Sequence, residues 1–348
     1  MPPKPTRPGG DNIPAGDNIP SWDITGNEWA ARLLAHHAAS GEPAHAYLLA
    51  GPPGIGRRTL ALRFAQELNC PQPVAPGQPC RTCRTCVQIE RMQHPDLFVV
   101  ERAPDKTELL IDQVRTLQHN LSLRPYEGRY RIGLILRFQE ANLNAANALL
   151  KTLEEAPSQA VLLLTADTPE SLLPTIVSRC EVLLLRPMTP ERTAGQLEER
   201  EGISHERALL LGHLSGGRYG YALRLENEPR LLEQRGEWLD SLHELLGSSR
   251  RERFIYADRI SRDKDLFRQA LQIWLAYWRD ALLITANAAA PLVNLDREPE
   301  LRALSGRIDL ATSRRLIHET QKALRQLDAN AIPRLVAEVL VLGWPAVP

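Results

Sequence analysis

The 348-residue chain carries no surplus of charge: 42 Lys and Arg balance 42 Asp and Glu. Bulk attraction to nucleic acid is therefore not its organising feature, although a local basic face is compatible with that balance. Long apolar runs are also missing. Those present, such as Val161 to Leu164, are only a few residues long, whereas a membrane-spanning helix needs about 20 predominantly apolar residues. The first residues lack the apolar stretch of a secretory signal, so a cytoplasmic location in a reducing compartment is expected. Cysteine is scarce, with five residues, yet four of them (Cys70, Cys80, Cys83 and Cys86) fall close together. In a large intracellular chain such a cluster points to a metal before a disulfide. Cys180 stands apart, with no His near it in sequence to activate it, and reads as a small buried residue. The chain is 43% hydrophobic and 24% charged, and is long enough for two or three domains.

Residues 1–20 are rich in Pro, Gly and Asn and contain a direct repeat, Gly10-Asp-Asn-Ile-Pro14 and Gly16-Asp-Asn-Ile-Pro20. Nothing there can build a core, so a disordered tail is expected, without a binding role. From Trp22 the pattern alternates. Helical stretches at Asn27 to Ala39, Arg57 to Asn69, Ile111 to Leu121 and Asn142 to Glu155 are interleaved with strand-like runs. These runs are His45 to Ala50, Leu97 to Glu101, Ile132 to Leu136 and Val161 to Thr165. Strands alternating with helices imply a parallel, doubly wound α/β sheet. The pattern breaks at Pro187, and Thr189-Pro190 has the form of an N-cap and first helical residue. Beyond it the chain reads as helices only, including Glu191 to Glu201, His205 to Leu214, Leu266 to Ala286, Ser313 to Leu327 and Pro333 to Leu342. Trp274, Tyr277 and Trp278 crowd one of these helices. A packing role is favoured over base stacking, which also requires an electropositive groove.

Gly51-Pro-Pro-Gly-Ile-Gly-Arg-Arg58 follows a strand and opens a helix, with the spacing of the phosphate-binding loop G-x-x-x-x-G-K-[ST]. Gly51, Gly54 and Gly56 are the residues that let backbone N–H groups turn toward a phosphate at the positive end of the next helix. The chemistry has been altered. Arg57 holds the lysine position, and Arg58 puts a cation where a hydroxyl should hold Mg²⁺; Thr59 falls one residue late. A guanidinium does not simply replace an ammonium against the phosphates. The strand Arg131 to Leu136 is of Walker B type, but it ends in Leu136-Arg137 instead of an acidic pair, with Glu140 the nearest carboxylate. Phosphoryl transfer then lacks both charge neutralisation and a positioned water, so nucleotide binding is doubtful and ATP hydrolysis is not expected.

Cys70-x9-Cys80-x2-Cys83-x2-Cys86 offers four soft ligands. This donor set suits a structural, tetrahedral Zn²⁺; an iron–sulfur cluster is the alternative, though no redox companion accompanies it. Four thiolates leave no position for a catalytic water. Metal binding in such modules contributes on the order of 10–16 kcal/mol, so the insert is expected to fold only with its metal.

Several segments resemble the clamp-loader AAA+ family of bacterial DNA polymerase III. Asn147-Ala-Leu-Leu-Lys-Thr-Leu-Glu-Glu-Ala-Pro157 is similar to the helix after Walker B in that family, and Leu173-Pro-Thr-Ile-Val-Ser-Arg-Cys180 to its Ser-Arg-Cys motif. The cysteine cluster is inserted just after the loop helix, as in that family. The resemblance covers about Trp22 to Pro187. Further on, Leu214-Ser-Gly-Gly-Arg-Tyr-Gly-Tyr-Ala-Leu223 resembles the lid segment, with Gly220 where active members carry the sensor-2 arginine. Asp328-Ala-Asn-Ala-Ile-Pro-Arg-Leu335 resembles the collar signature. The resemblance implies an AAA+ domain at 21–187 with its zinc module at 70–86, a helical lid at 188–247 and an oligomerising collar at 248–348. It implies a non-hydrolysing subunit whose Arg179 acts in trans on a neighbour's ATP. The implied partners are gamma/tau and delta subunits, with the sliding clamp and primed DNA reached through the complex. The isolated chain would show no catalysis and would count as part of a DNA polymerase assembly. Arg179 paired with a surface carboxylate, an active gamma/tau-type ATPase, and a zinc-dependent nucleic-acid binder are the competing readings.

Overall fold

A computed structural model describes residues 22–103, 106–155 and 157–347, and the repeat-bearing tail lies outside them. The chain divides into two compact units, Met1–Pro187 and Met188–Pro348. In the first, helices and strands alternate: α1 (Glu28–Ser40), β1 (Ala46–Ala50), α2 (Arg57–Asn69), α3 (Arg84–Glu90), β2 (Leu97–Val100), α4 (Ile111–Ser122), β3 (Arg131–Ile135), α5 (Leu143–Glu154), β4 (Ala160–Ala166), α6 (Pro174–Val177) and β5 (Glu181–Leu184). The five strands form one sheet in the order β2-β3-β4-β1-β5, and every pairing is parallel.

The alternation of side chains along each strand builds two cores. Tyr47, Leu49, Val161 and Leu163 face α1 and α2, where they meet Leu34, Leu60 and Phe64. Leu48, Leu162 and Leu164 face α4 and α5 and meet Val114, Leu117 and Leu149. Helices thus cover both faces, as continuous apolar strands require. The sequence pattern misses β5. Only Leu183 in it is fully buried, while Val182 and Leu184 are exposed, because the strand pairs with β1 alone and lies at the sheet edge.

The second unit is helical among its described residues: α7 (Pro190–Glu201), α8 (His205–Leu214), α9 (Tyr219–Asn227), α10 (Pro229–Gly247), α11 (Arg250–Ile260), α12 (Lys264–Thr285), α13 (Glu298–Ser305), α14 (Leu310–Asp328) and α15 (Pro333–Leu342). Thr189 caps α7 through its side chain, which accepts the Arg192 N–H at 3.2 Å, and Pro190 is the first helical residue. One apolar cluster gathers Leu197, Leu211 and Leu225 from α7, α8 and α9. A larger one runs from Trp238 on α10 to Trp344. Trp274, Tyr277 and Trp278 lie fully inside it, with Trp344 edge-on to both tryptophans, so they are core residues and not a stacking surface. Among the described residues, no helix is long and apolar enough to cross a membrane.

Candidate functional sites: an altered phosphate loop and a four-cysteine metal centre

The loop from Gly51 to Gly56 carries the chain from the end of β1 into α2. The β1–β4 register sets Ala50 opposite Ala166, and the Gly51 N–H donates to the Ala166 carbonyl at 3.1 Å. A Cβ on Gly51 would stand 2.8 Å from the Leu185 carbonyl oxygen, so the approach of these chains requires glycine. Gly56 caps α2 with φ +100°, a conformation that side chains disfavour. The loop therefore has the backbone of a phosphate cradle.

Its side chains are engaged differently. Arg57, the first residue of α2, sends Nη1 to Asp167 Oδ1 at 2.8 Å. Asp167 stands immediately past β4, beside the start of the loop. Arg58 and Thr59 point to solvent. At the end of β3 Leu136 is buried. Arg137 sits in a left-handed conformation, φ +52°, with its N–H donating to Thr165 Oγ1 at 2.8 Å. Glu140 ends a short 3-10 turn, Phe138–Glu140. Arg102 Nε donates to its Oε2 at 3.0 Å and Arg137 Nε lies 3.5 Å from its Oε1. That carboxylate is thus held between two guanidinium groups, and cations occupy both places where a metal-holding oxygen is needed.

Arg179 follows α6 and precedes β5. Its Nη2 meets Glu154 Oε1 at 2.6 Å and its Nη1 donates to the Thr175 carbonyl at 2.9 Å. The side chain remains about one-third exposed. Before it the chain forms the short helix α6, and in the free chain Arg179 makes a surface ion pair. Cys180, next to it, packs partly against the α4–α5 core, and burial pushes its thiol up to about 12, which leaves it no nucleophile.

In the helical unit Gly217 has φ +78°, and a Cβ there would collide with the Met188 carbonyl oxygen at 1.8 Å. That clash explains the second glycine of the lid-like segment. Gly220 is the second residue of α9. The nearby Arg218 folds back, with Nε on the Ser215 carbonyl at 2.6 Å and its guanidinium 4.4 Å from the Tyr221 ring centre.

The four cysteines converge. Cys70 caps the C-terminus of α2, Cys83 caps the N-terminus of α3, and Cys86 lies in its first turn. The four sulfurs lie within 4.8 Å of one another, with Cys70–Cys80 at 3.6 Å and Cys80–Cys86 at 4.0 Å. A tetrahedral metal with bonds of about 2.3 Å sets sulfurs roughly 3.8 Å apart, so the donor set fits a metal ion of the zinc type. The N–H groups of Cys80, Cys83 and Cys86 donate to the sulfurs of Cys70, Cys80 and Cys83 at 3.5, 3.3 and 3.4 Å. Burial works against a thiolate at Cys80, but the N–H groups of Cys83 and Thr82 and the adjacent thiols bring it to about 6. Burial pushes Cys70 and Cys86 up. Four sulfurs this close hold their negative charge only around a cation. The thirteen residues of α2 rise about 20 Å, which keeps this cluster away from the phosphate loop.

Asp167 is the residue the sequence reading missed. Its available signal was an acid directly after a strand that can neighbour the loop strand, where ligands of parallel sheets gather.

The parallel sheet, the glycine loop between β1 and α2 and the helices on both faces define a P-loop domain of AAA+ type. A family model described as DNA polymerase III, delta subunit, matches residues 26–189. The DNA polymerase III subunit delta-prime of Pseudomonas aeruginosa is 35% identical over 230 residues, 63% of this chain and 66% of that protein, just under two thirds of its length. That of Bacillus subtilis is 28% identical over 269 residues, 76% of this chain and 80% of that one. The tau subunit of Escherichia coli is 34% identical over 211 residues, 59% of this chain and 32% of that protein. The chain belongs to the clamp-loader family of DNA polymerase III subunits that contains these delta-prime and tau proteins.

Proposed function

We propose that this chain is a non-hydrolysing, delta-prime-type subunit of a cytoplasmic DNA polymerase III clamp loader. It works beside gamma/tau and delta subunits in ATP-dependent loading of the sliding clamp onto primed DNA. The observation that carries this reading is the state of the phosphate loop: Arg57 is taken by Asp167, and Arg58 and Arg137 stand where a metal would be held. A cradle of this kind keeps the architecture of an ATPase while lacking the groups that neutralise and attack a γ-phosphate.

Zn²⁺ held by Cys70, Cys80, Cys83 and Cys86 stabilises the insert at 70–86. Residues 21–187 form the AAA+ domain, 188–247 the lid and 248–348 the collar. Leu335 and Val339 on α15, Ile332 at its N-cap, and Phe254 and Ile255 on α11, which packs against α15, are exposed apolar side chains, and this supports a collar that packs against neighbours. Arg179 reaches the ATP of an adjacent gamma/tau subunit. Its exposed pair with Glu154 supports this role, because surface pairs contribute about 0–1 kcal/mol and exchange readily.

The test is reconstitution. Mixed with gamma/tau and delta subunits of the same organism, the chain should co-elute on gel filtration in a complex that hydrolyses ATP, while the chain alone turns over none. Failure to enter the complex, or steady turnover by the chain alone, would sink the reading.

A further inference from the structure

We propose that Asp167 is a built-in stand-in for phosphate, an autoinhibitory contact that fills the charge requirement of the loop and keeps polyphosphate out. This rests on the reading of the loop as non-hydrolysing, and it adds what holds the loop in place of a nucleotide.

Three observations meet at this point. Arg57 opens α2, so its guanidinium lies at the positive end of the helix, the place where an anion is favoured. The parallel pairing of β1 with β4 delivers Asp167 to the mouth of the loop, one residue beyond the Ala50–Ala166 pair. The two side chains, 10% and 23% exposed, then meet at 2.8 Å. A largely buried guanidinium without a counter-ion is costly, so it must be given one. In a nucleotide-binding loop the phosphate supplies that charge; here a carboxylate of the same chain supplies it permanently. An incoming anion must first displace Asp167, and its apparent affinity falls by the fraction of molecules in which the pair is open. Because Arg58 and Arg137 stand at the metal-holding positions, a ligand admitted after the pair is broken would be a polyphosphate without its metal.

The probe is magnesium-free tripolyphosphate, measured by equilibrium dialysis and by thermal shift on the full chain. The wild type should show neither saturable binding nor a rise in melting temperature. Asp167→Asn removes the charge with little change of shape and should bind at least about tenfold more tightly, with a ligand-dependent rise in melting temperature. Adding Arg57→Met to it should abolish the gain. Asp167→Ser repeats the test should the Asn variant lose its circular dichroism. Equal binding by wild type and variant, or no gain by a folded variant, overturns the stand-in. Steady ATP hydrolysis by the wild type would instead overturn the non-hydrolysing reading, whatever the variants do.

Discussion

Removing the metal from the four-cysteine centre should unfold the insert and destabilise the first unit. The centre closes the loop from Cys70 to Cys86 and joins the end of α2 to the start of α3. Apart from the centre, the segment is held by Gln66 Nε2, which donates to the Cys86 carbonyl at 2.8 Å, and by Arg81 Nη1, 3.4 Å from Asp23 Oδ2. Trp22 Nε1 donates to the Gly77 carbonyl at 2.7 Å, and Ile89 and Cys86 supply its few buried apolar contacts. A cross-link across a loop of about 15 residues is worth roughly 3 kcal/mol in chain entropy alone, a lower bound beside the 10–16 kcal/mol of metal binding in isolated modules. For a domain of about 150–250 residues each kcal/mol moves the melting temperature by roughly 2–4 °C, so the loss should be at least about 6–12 °C. Protein purified without chelator should contain one zinc per chain by elemental analysis. Stripping it with a thiol reagent and chelator should expose four titratable thiols and lower the melting temperature by that amount, with recovery on adding Zn²⁺. Co²⁺ in its place should give the visible bands of tetrahedral sulfur coordination. Metal-free protein with four reactive thiols and an unchanged melting temperature would refute the reasoning.

Arg179→Ala breaks an exposed pair and should cost under about 1 kcal/mol in urea unfolding. The reconstituted complex should nevertheless lose part of its stimulated ATPase, with Arg179→Lys nearly as impaired; wild-type rates from an intact complex would leave this arginine structural. Asp96, fully buried, accepts the N–H groups of Tyr126, Glu127 and Gly128 at 2.7, 2.9 and 2.8 Å. Burial opposes its ionisation, but these donors and Arg131 hold its carboxyl below the usual range. A depressed folded value means stability that is present above the ordinary pKa of about 3.9 and lost as pH falls through the folded value. Asp96→Asn should therefore be less stable at pH 7 and show a shallower acid dependence in denaturant titrations, and an unchanged slope would count against this account. Arg253, 4% exposed, donates to the carbonyls of Leu245, Leu246, Trp344 and Pro345 at 2.6–3.2 Å. Arg253→Met strands these acceptors and should cost about 3 kcal/mol or more, with faster hydrogen exchange in the C-terminal turn; a loss under about 1 kcal/mol would refute that.

How much of this was legible beforehand differs from residue to residue. The glycine spacing and the helix that follows it located α2 to the residue, because positive-φ glycines and helix starts are local features. The four cysteines were legible for a similar reason: C-x-x-C spacing brings sulfurs onto one ion with little help from the rest of the chain. β5 escaped because an edge strand buries one residue in four and shows no strong pattern. Asp167 escaped because its one local mark, an acid directly after a strand, does not say which residue it meets. It stands 110 residues from Arg57 and meets it only through the register of two parallel strands. Arg253 reads as one charge in a basic run until the carbonyls of Trp344 and Pro345 surround it.

Taken alone, the sequence determined the class of fold, the altered cradle and the clustering of four cysteines, since each is written in residues that act over a few positions. The tertiary structure decided which charges meet. Arg57 with Asp167, Glu140 with Arg102, and Arg179 on Glu154 are pairs set by strand order and helix packing. A charge interacts through space, with a strength set by distance and burial, and both quantities exist only once the chain has folded.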